Sequence, residues 1–240
     1  MTKLVCISDT HNNHSRIQIE ECDILIHAGD ATLHGSEMEV SSFLNWFSSL
    51  DQAKHKVFIP GNHDFFFTGK TLTNKYTNKE IKDYIPSNVH YLVDKSVTLE
   101  GLKVYGTPWT PFFFDWAFNG LEHDPGKDNA YHGGPGPSAE PDTNHPLLRK
   151  IYSAIEDDTE VLVCHGPPRL SPLDHCLEGN RVGSTRLLER IKQLPKLKAG
   201  IFGHIHEAYG STKLGNVDLY NVCSLKRDYK TLQPPVVINL

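Results

Sequence analysis

The sequence predicts an α/β fold whose sheets mix parallel and antiparallel strands, and three observations predict it. Five short runs rich in β-branched residues each break at a cluster of glycine, proline, acid or histidine. Helical patterns lie between several of these runs, as an α/β chain requires. A hairpin signal near the middle and two strand-like pieces near the C-terminus add antiparallel pairing.

In order, the five buried runs are KLVCISD (residues 3–9), DILIHAGD (23–30), KVFIPGNHD (56–64), EVLVCHGPP (160–168) and AGIFGHIH (199–206). Apolar periodicity predicts helices over 36–50, 78–85, 147–156 and 184–194. VTLEGLKVYG (97–106) reads as two strands around a Glu-Gly turn, and VDLYNVCSL and PPVVINL read as late strands. Residues 119–146 are dense in Gly, Pro, Asp and His without periodicity, so they are expected to form a long loop within a single domain spanning 1–240.

The 240 residues suffice for one substantial core, and 38% hydrophobic with 22% charged residues is the composition of a globular protein. A net charge of −5 argues against an extended nucleic-acid-binding surface. No apolar stretch approaches the roughly 18–20 residues a membrane span needs, and no signal-peptide core precedes Asp9, so a cytoplasmic location is expected. Five cysteines with no C-x-x-C pair read as reduced thiols. Fourteen histidines are many for this length.

Each of the five runs ends in groups able to bind a metal: Asp9 and His11, Asp30, Asn62 and His63, His165, then His204 and His206. Taken singly, each reads as a turn former or a hydrogen-bonded loop residue. Five such endings with no run left over point instead to a metal centre at the strand ends, where α/β folds collect ligands. Carboxylate, imidazole and amide donors without thiolate suit two divalent ions, manganese first, with iron or zinc as the other choices. A pair of ions about 3.5–4 Å apart makes a clamp for in-line displacement at phosphorus.

The order D-x-H, G-D, G-N-H-D, H-G and G-H-x-H resembles the calcineurin-like metallophosphoesterase superfamily. Here it falls on Asp9 and His11, Gly29 and Asp30, residues 61–64, His165 and Gly166, and residues 203–206. The stretches YGTPWTPFFFDWAFN, HGPP and FGHIHEAYG are similar to its metallophosphoesterase-domain-containing branch, related to the class III cyclic nucleotide phosphodiesterases. The resemblance implies a four-layer α/β/β/α sandwich of two mixed sheets flanked by helices. It implies that Asp9, His11 and His206 hold one metal, that Asn62, His165 and His204 hold the other, and that Asp30 bridges them. His63 would stabilise the phosphoryl charge or protonate the leaving oxygen, with Asp64 orienting it. Some animal members of this branch lack the first histidine of the last block; this chain keeps His204.

The resulting expectation is a dinuclear-metal-dependent phosphodiesterase acting on small nucleotide-like diesters, 2′,3′-cyclic nucleotides foremost, through attack by a hydroxide shared between the metals. The alternatives are a phosphomonoesterase or protein phosphatase and, from another class, a non-catalytic metal-binding interaction module. A nuclease fits the acidic charge poorly. Trp109, Phe112, Phe113, Phe114 and Trp116 crowd one segment where a base could stack, with Trp109 the leading ring and Arg169 a phosphate-contact candidate beside Arg181. His14 and His27 read as structural, while His123, His132 and His145 decorate the long loop.

Overall fold

The computed structural model describes residues 1–69, 80–123, 145–177 and 179–240. Along the chain run β1 (Lys3–Ile7), β2 (Cys22–Ala28), α1 (Glu37–Ser48), β3 (Ala53–Ile59), β4 (Val89–Tyr91), β5 (Lys95–Leu99), β6 (Leu102–Thr107), β7 (Thr110–Pro111) and β8 (Asn119–Gly120). These are followed by α2 (Leu148–Ser153), β9 (Val161–Cys164), α3 (Thr185–Ile191), β10 (Ala199–Phe202), β11 (Gly210–Leu214), β12 (Val217–Asn221) and β13 (Val236–Asn239).

One sheet has the order β13-β1-β2-β3-β4, parallel except for β13. The other runs β11-β12-β10-β9-β6-β5, parallel at its centre and antiparallel at both edges. The period-2 alternation of the strands sorts side chains to two faces. Leu4, Cys6, Ile24 and Ile26 face Val104, Val161, Val163 and Ile201 between the sheets. Val5, Leu25 and Phe58 face outward onto Val40, Phe43 and Phe47 of α1. On the far side Leu162 and Phe202 meet Leu148 and Tyr152 of α2 and Leu187 and Ile191 of α3. Three apolar interfaces between four layers give the α/β/β/α sandwich that the family resemblance implied, and each fully buried side chain of this size contributes about 1.5–3 kcal/mol over exposure.

Local signals explain the element ends. Ser36 caps α1 by accepting from Glu39 N, while the Glu39 carboxylate accepts from Ser36 N at 2.8 Å, a reciprocal capping box. Ser184 caps α3 in the same way through Leu187 N. The β5–β6 hairpin turns on Glu100 and Gly101, both with positive φ, as a tight two-residue turn demands. The helix expected over 78–85 shrinks: 78 and 79 lie outside the described residues, and the rest forms only a 3₁₀ turn at Ile81–Asp83. Pro86 disfavours helical backbone at Ile85. The expected loop over 119–146 begins instead with β8, which pairs with β7, while 124–144, with His132, lies outside the described residues.

The two sheets meet at one end. Ser8, just past β1, bridges to Cys223, just past β12, with Ser8 N donating to Val222 O and Ser224 N to Ser8 O. Consequently the loops leaving β1, β2 and β3 of one sheet and β9 and β10 of the other open onto the same space.

Candidate metal centre

The strand-end loops are forced into uncommon backbone conformations. Asp9, His11, Asn12, Asp30 and His204 all have positive φ, between 39° and 69°, which non-glycine residues adopt at some cost. Such strain persists because the turns lock one another. Asp9 N donates to Gly29 O, His11 N to Asp30 O, and Gly203 N to His165 O. Gly61 and Gly203 are required by crowding, since a Cβ at Gly61 would strike the Asp30 carboxylate and one at Gly203 the Asp9 carboxylate.

The side chains converge within this frame. Asp9, His11 and His206 form one cluster, Asp30, His165 and His204 a second, and His11, Asp30 and His63 a third, with donor atoms in each within 4.8 Å of one another. Asp30 Oδ2 lies 3.9 Å from His11 Nε2 and 3.4 Å from His165 Nε2, between the two ends of the site. Asn62 Oδ1 lies 2.9 Å from His165 Nε2. All seven residues expected to hold metal therefore come together.

Tautomers follow from the hydrogen bonds. The Nδ1 atoms of His11, His63, His165 and His206 sit 2.8–3.1 Å from the carbonyl oxygens of Thr32, Leu33, Ala28 and Leu225. A carbonyl only accepts, so each Nδ1 carries a proton, and in its neutral form each ring presents a bare Nε2. Yet His11 Nε2 and His206 Nε2 are 3.3 Å apart with lone pairs facing. A cation held between them, or a proton shared by the two rings, satisfies both. Donors sharing one ion through bonds of about 2.1 Å lie roughly 3.0–3.4 Å apart, the spacing seen here, and a backbone partner on the other ring nitrogen is the usual support for a ligating histidine. The donor set thus fits divalent metal.

The electrostatics agree. Burial opposes charge on Asp9 and Asp30, but the surrounding imidazoles, His165 foremost, hold both carboxyls below the usual carboxylate range. Burial would also depress His165, yet Asp30 beside it raises that imidazole to about 9. His11 and His204 are pushed down to about 4 and about 3, chiefly by burial. Ionised carboxylates beside the depressed imidazoles of His11 and His204 make a cation-seeking site.

His63 and Asp64 separate. The imidazole of His63 packs edge-on against His11, with ring centroids 4.6 Å apart, and at 4.3 Å from Trp116, with its Nε2 bare. The expected contact from Asp64 is not made. Its carboxylate turns away and accepts from Gly61 N, Ala31 N, Thr32 N and Thr32 Oγ1, tying together the loops that leave β2 and β3. Burial and the nearby Asp30 push Asp64 up to about 6. Hydrogen bonds link it to His63 through Thr32 and the neighbouring Leu33 carbonyl.

A cavity of about 480 Å³ opens above the centre, bounded by Asp30, Asn62, His63, His204 and His206 on one side. Phe112, Phe113, Trp116 and Val182 form an apolar wall, and Arg227, Glu207 and Tyr229 complete it. Neither substrate candidate from the sequence borders it. Trp109 donates its indole N–H to Asp94 and packs edge-on against Phe118, and Arg169 donates to the carbonyl of Arg181, which pairs with Asp174. His14 and His27 are buried against the aromatic residues of α1, as structural residues would be.

Sequence reasoning missed Cys223, Tyr229 and Arg227. The buried Cys223 thiol donates to Asp9 Oδ2 at 3.2 Å, beside the Ser8 hydroxyl on the same oxygen. Tyr229 lies 4.8 Å from both His11 and His206. Cys223 follows a predicted strand, as the ligands do, and that placement was the available signal; the Arg227–Tyr229 turn carries none.

Comparison with known proteins bears on this geometry. The chain is 33% identical over its whole length to metallophosphoesterase domain-containing protein 1 of human and mouse, covering 71% of each. It is 30% identical to a UPF0046 protein of Caenorhabditis elegans, with 99% of this chain and 80% of that one aligned. A phosphopantetheinyl hydrolase from Mycobacterium tuberculosis shares the fold at a TM-score of 0.61 and 16% identity, over 95% of this chain and 90% of that one. The profile of the calcineurin-like phosphoesterases matches residues 2–208, the span holding every loop of the candidate metal centre, and the chain belongs to that family.

Proposed function

We propose that this protein is a dinuclear-metal-dependent phosphodiesterase for small nucleotide-like diesters, 2′,3′-cyclic nucleotides foremost. Asp9, His11 and His206 would hold one ion, Asn62, His165 and His204 the other, and Asp30 both, with manganese the first choice and iron or zinc the others. Two such ions supply an activated water and neutralise phosphoryl oxygens.

The chain's own groups do the rest. The Leu33 carbonyl fixes the Nδ1 proton of His63, so its Nε2 faces the cavity; carrying a second proton there, as the imidazolium, His63 would meet the charge on the phosphoryl group or protonate the leaving oxygen. The apolar wall limits water around the ester.

The observation that favours a diester is the scarcity of cations. Among the described residues Arg227 is the single Lys or Arg lining the cavity, and it lies 3.6 Å from the Glu207 carboxylate. A monoester dianion calls for more positive charge than a diester monoanion, and this cavity offers little beyond the metal centre. Initial rates of the manganese-loaded protein on a matched aryl diester and monoester, with Asp30→Ala as blank, test the reading. A ratio in favour of the diester is expected; one favouring the monoester moves the assignment to a phosphatase.

A further inference from the structure

Of the aromatic residues between 109 and 116, Trp116 has the indole that both borders the cavity and touches the candidate catalytic imidazole. It lies 4.3 Å from His63 and 5.8 Å from Phe65, two contacts that hold the ring in place while leaving it half-buried at the cavity surface. Phe113, 39% exposed, extends the same wall outward, and Phe112 is braced by His145 at 4.9 Å. Tyr229, the other ring at the cavity, already packs against His11 and His206.

We propose that Trp116 and Phe113 form a ring-binding subsite, so that the preferred ligand carries one phosphate and one flat heteroaromatic ring, the ring lying on the indole. The inference rests on the metal-centre reading above and adds the group that gives discrimination. Two features support it. A volume of about 480 Å³ suits a ligand the size of a mononucleotide. With Arg227 as the lone lining Lys or Arg among the described residues, a second phosphate finds no dedicated partner, whereas an uncharged ring finds an apolar wall. Because Trp116 abuts His63, a ring stacked there sits beside the imidazole instead of out at the rim.

The test compares binding of adenosine 5′-monophosphate and ribose 5-phosphate to the manganese-loaded full chain by calorimetry, since the two probes share a phosphate and differ by the ring. The wild-type protein should bind the nucleotide roughly ten-fold tighter or more, the preference aromatic stacking provides. Trp116→Ala should erase that preference and leave ribose 5-phosphate affinity and metal content as they were, while Trp116→Phe should restore part of it. Equal affinities in the wild type, a preference that survives Trp116→Ala, or a parallel loss of ribose 5-phosphate binding would each overturn the subsite. If neither probe binds but the aryl diester is hydrolysed, the subsite falls and the phosphodiesterase reading stands; if the diester is not hydrolysed either, both fall.

Discussion

Asp9, His165 and Asp30 are at most 2% exposed, and His11, His63, His165 and His206 each have one ring nitrogen tied to a backbone carbonyl. The wall is made differently: Phe113, 39% exposed, leans edge to face on Phe114 behind it, itself 41% exposed, with ring centroids 4.3 Å apart. The floor side chains are fixed by interlocking hydrogen bonds within buried, strained turns, while on the wall the hydrogen bonds hold the backbone, with Asn119 Nδ2 donating to the Phe113 and Phe114 carbonyls, and the rings themselves are placed by packing. The candidate metal-binding groups thus sit where the backbone is most tightly held, and the exposed rings of the wall are positions where side chains can change without disturbing the fold.

The sharpest way to break this contrast is to remove the carboxylate that lies between both halves of the floor. Asp30→Ala should lose metal and lower turnover by about 10³-fold or more, as loss of several kcal/mol of charge stabilisation implies. His63→Ala should lower turnover by roughly 10²–10⁴-fold with metal content unchanged in elemental analysis. A metal-depleted His63→Ala protein would instead make this residue a ligand, which its cluster with His11 and Asp30 permits.

Asp64→Asn probes the rigidity of the floor. The carboxylate takes four donors, and an amide nitrogen in place of one oxygen faces N–H groups it cannot accept from. Each donor left unpaired costs roughly 1–3 kcal/mol, and a chain this size loses about 2–4 °C of melting temperature per kcal/mol. A melting curve unchanged by Asp64→Asn would mean the loops are held some other way. Smallest is Cys223→Ala, which removes one donor from Asp9 and should weaken metal binding about ten-fold by titration, with Cys223→Ser closer to wild type.

Much of the site was legible in the sequence because its ligands come from short blocks at strand ends, where one residue type at one spacing carries the chemistry. Asp9, His11, Asp30, Asn62, His165, His204 and His206 all meet where that reasoning put them. The partners that set their tautomers were not legible, because a backbone carbonyl such as Thr32 O or Leu225 O has no side-chain signature. Asp64 departs from what the resemblance implied: it was expected to orient His63, whereas the turn sends the two side chains apart. Trp109 and Trp116 look alike in a run of aromatic residues, and only tertiary packing sends one onto Asp94 and Phe118 and the other to the cavity. The sheets were clear from apolar runs, and the hairpin from its Glu-Gly turn. The four layers followed from the family resemblance rather than from periodicity, since a strand pattern does not say which sheet it joins.

Facing imidazole nitrogens and one shared carboxylate offer places for two ions. Titration of the metal-stripped protein with manganese, with bound metal counted by elemental analysis, should give two ions per chain in the wild type and a marked loss in Asp30→Ala. Retention of no ion by the wild type, or of two by Asp30→Ala, would contradict this arrangement.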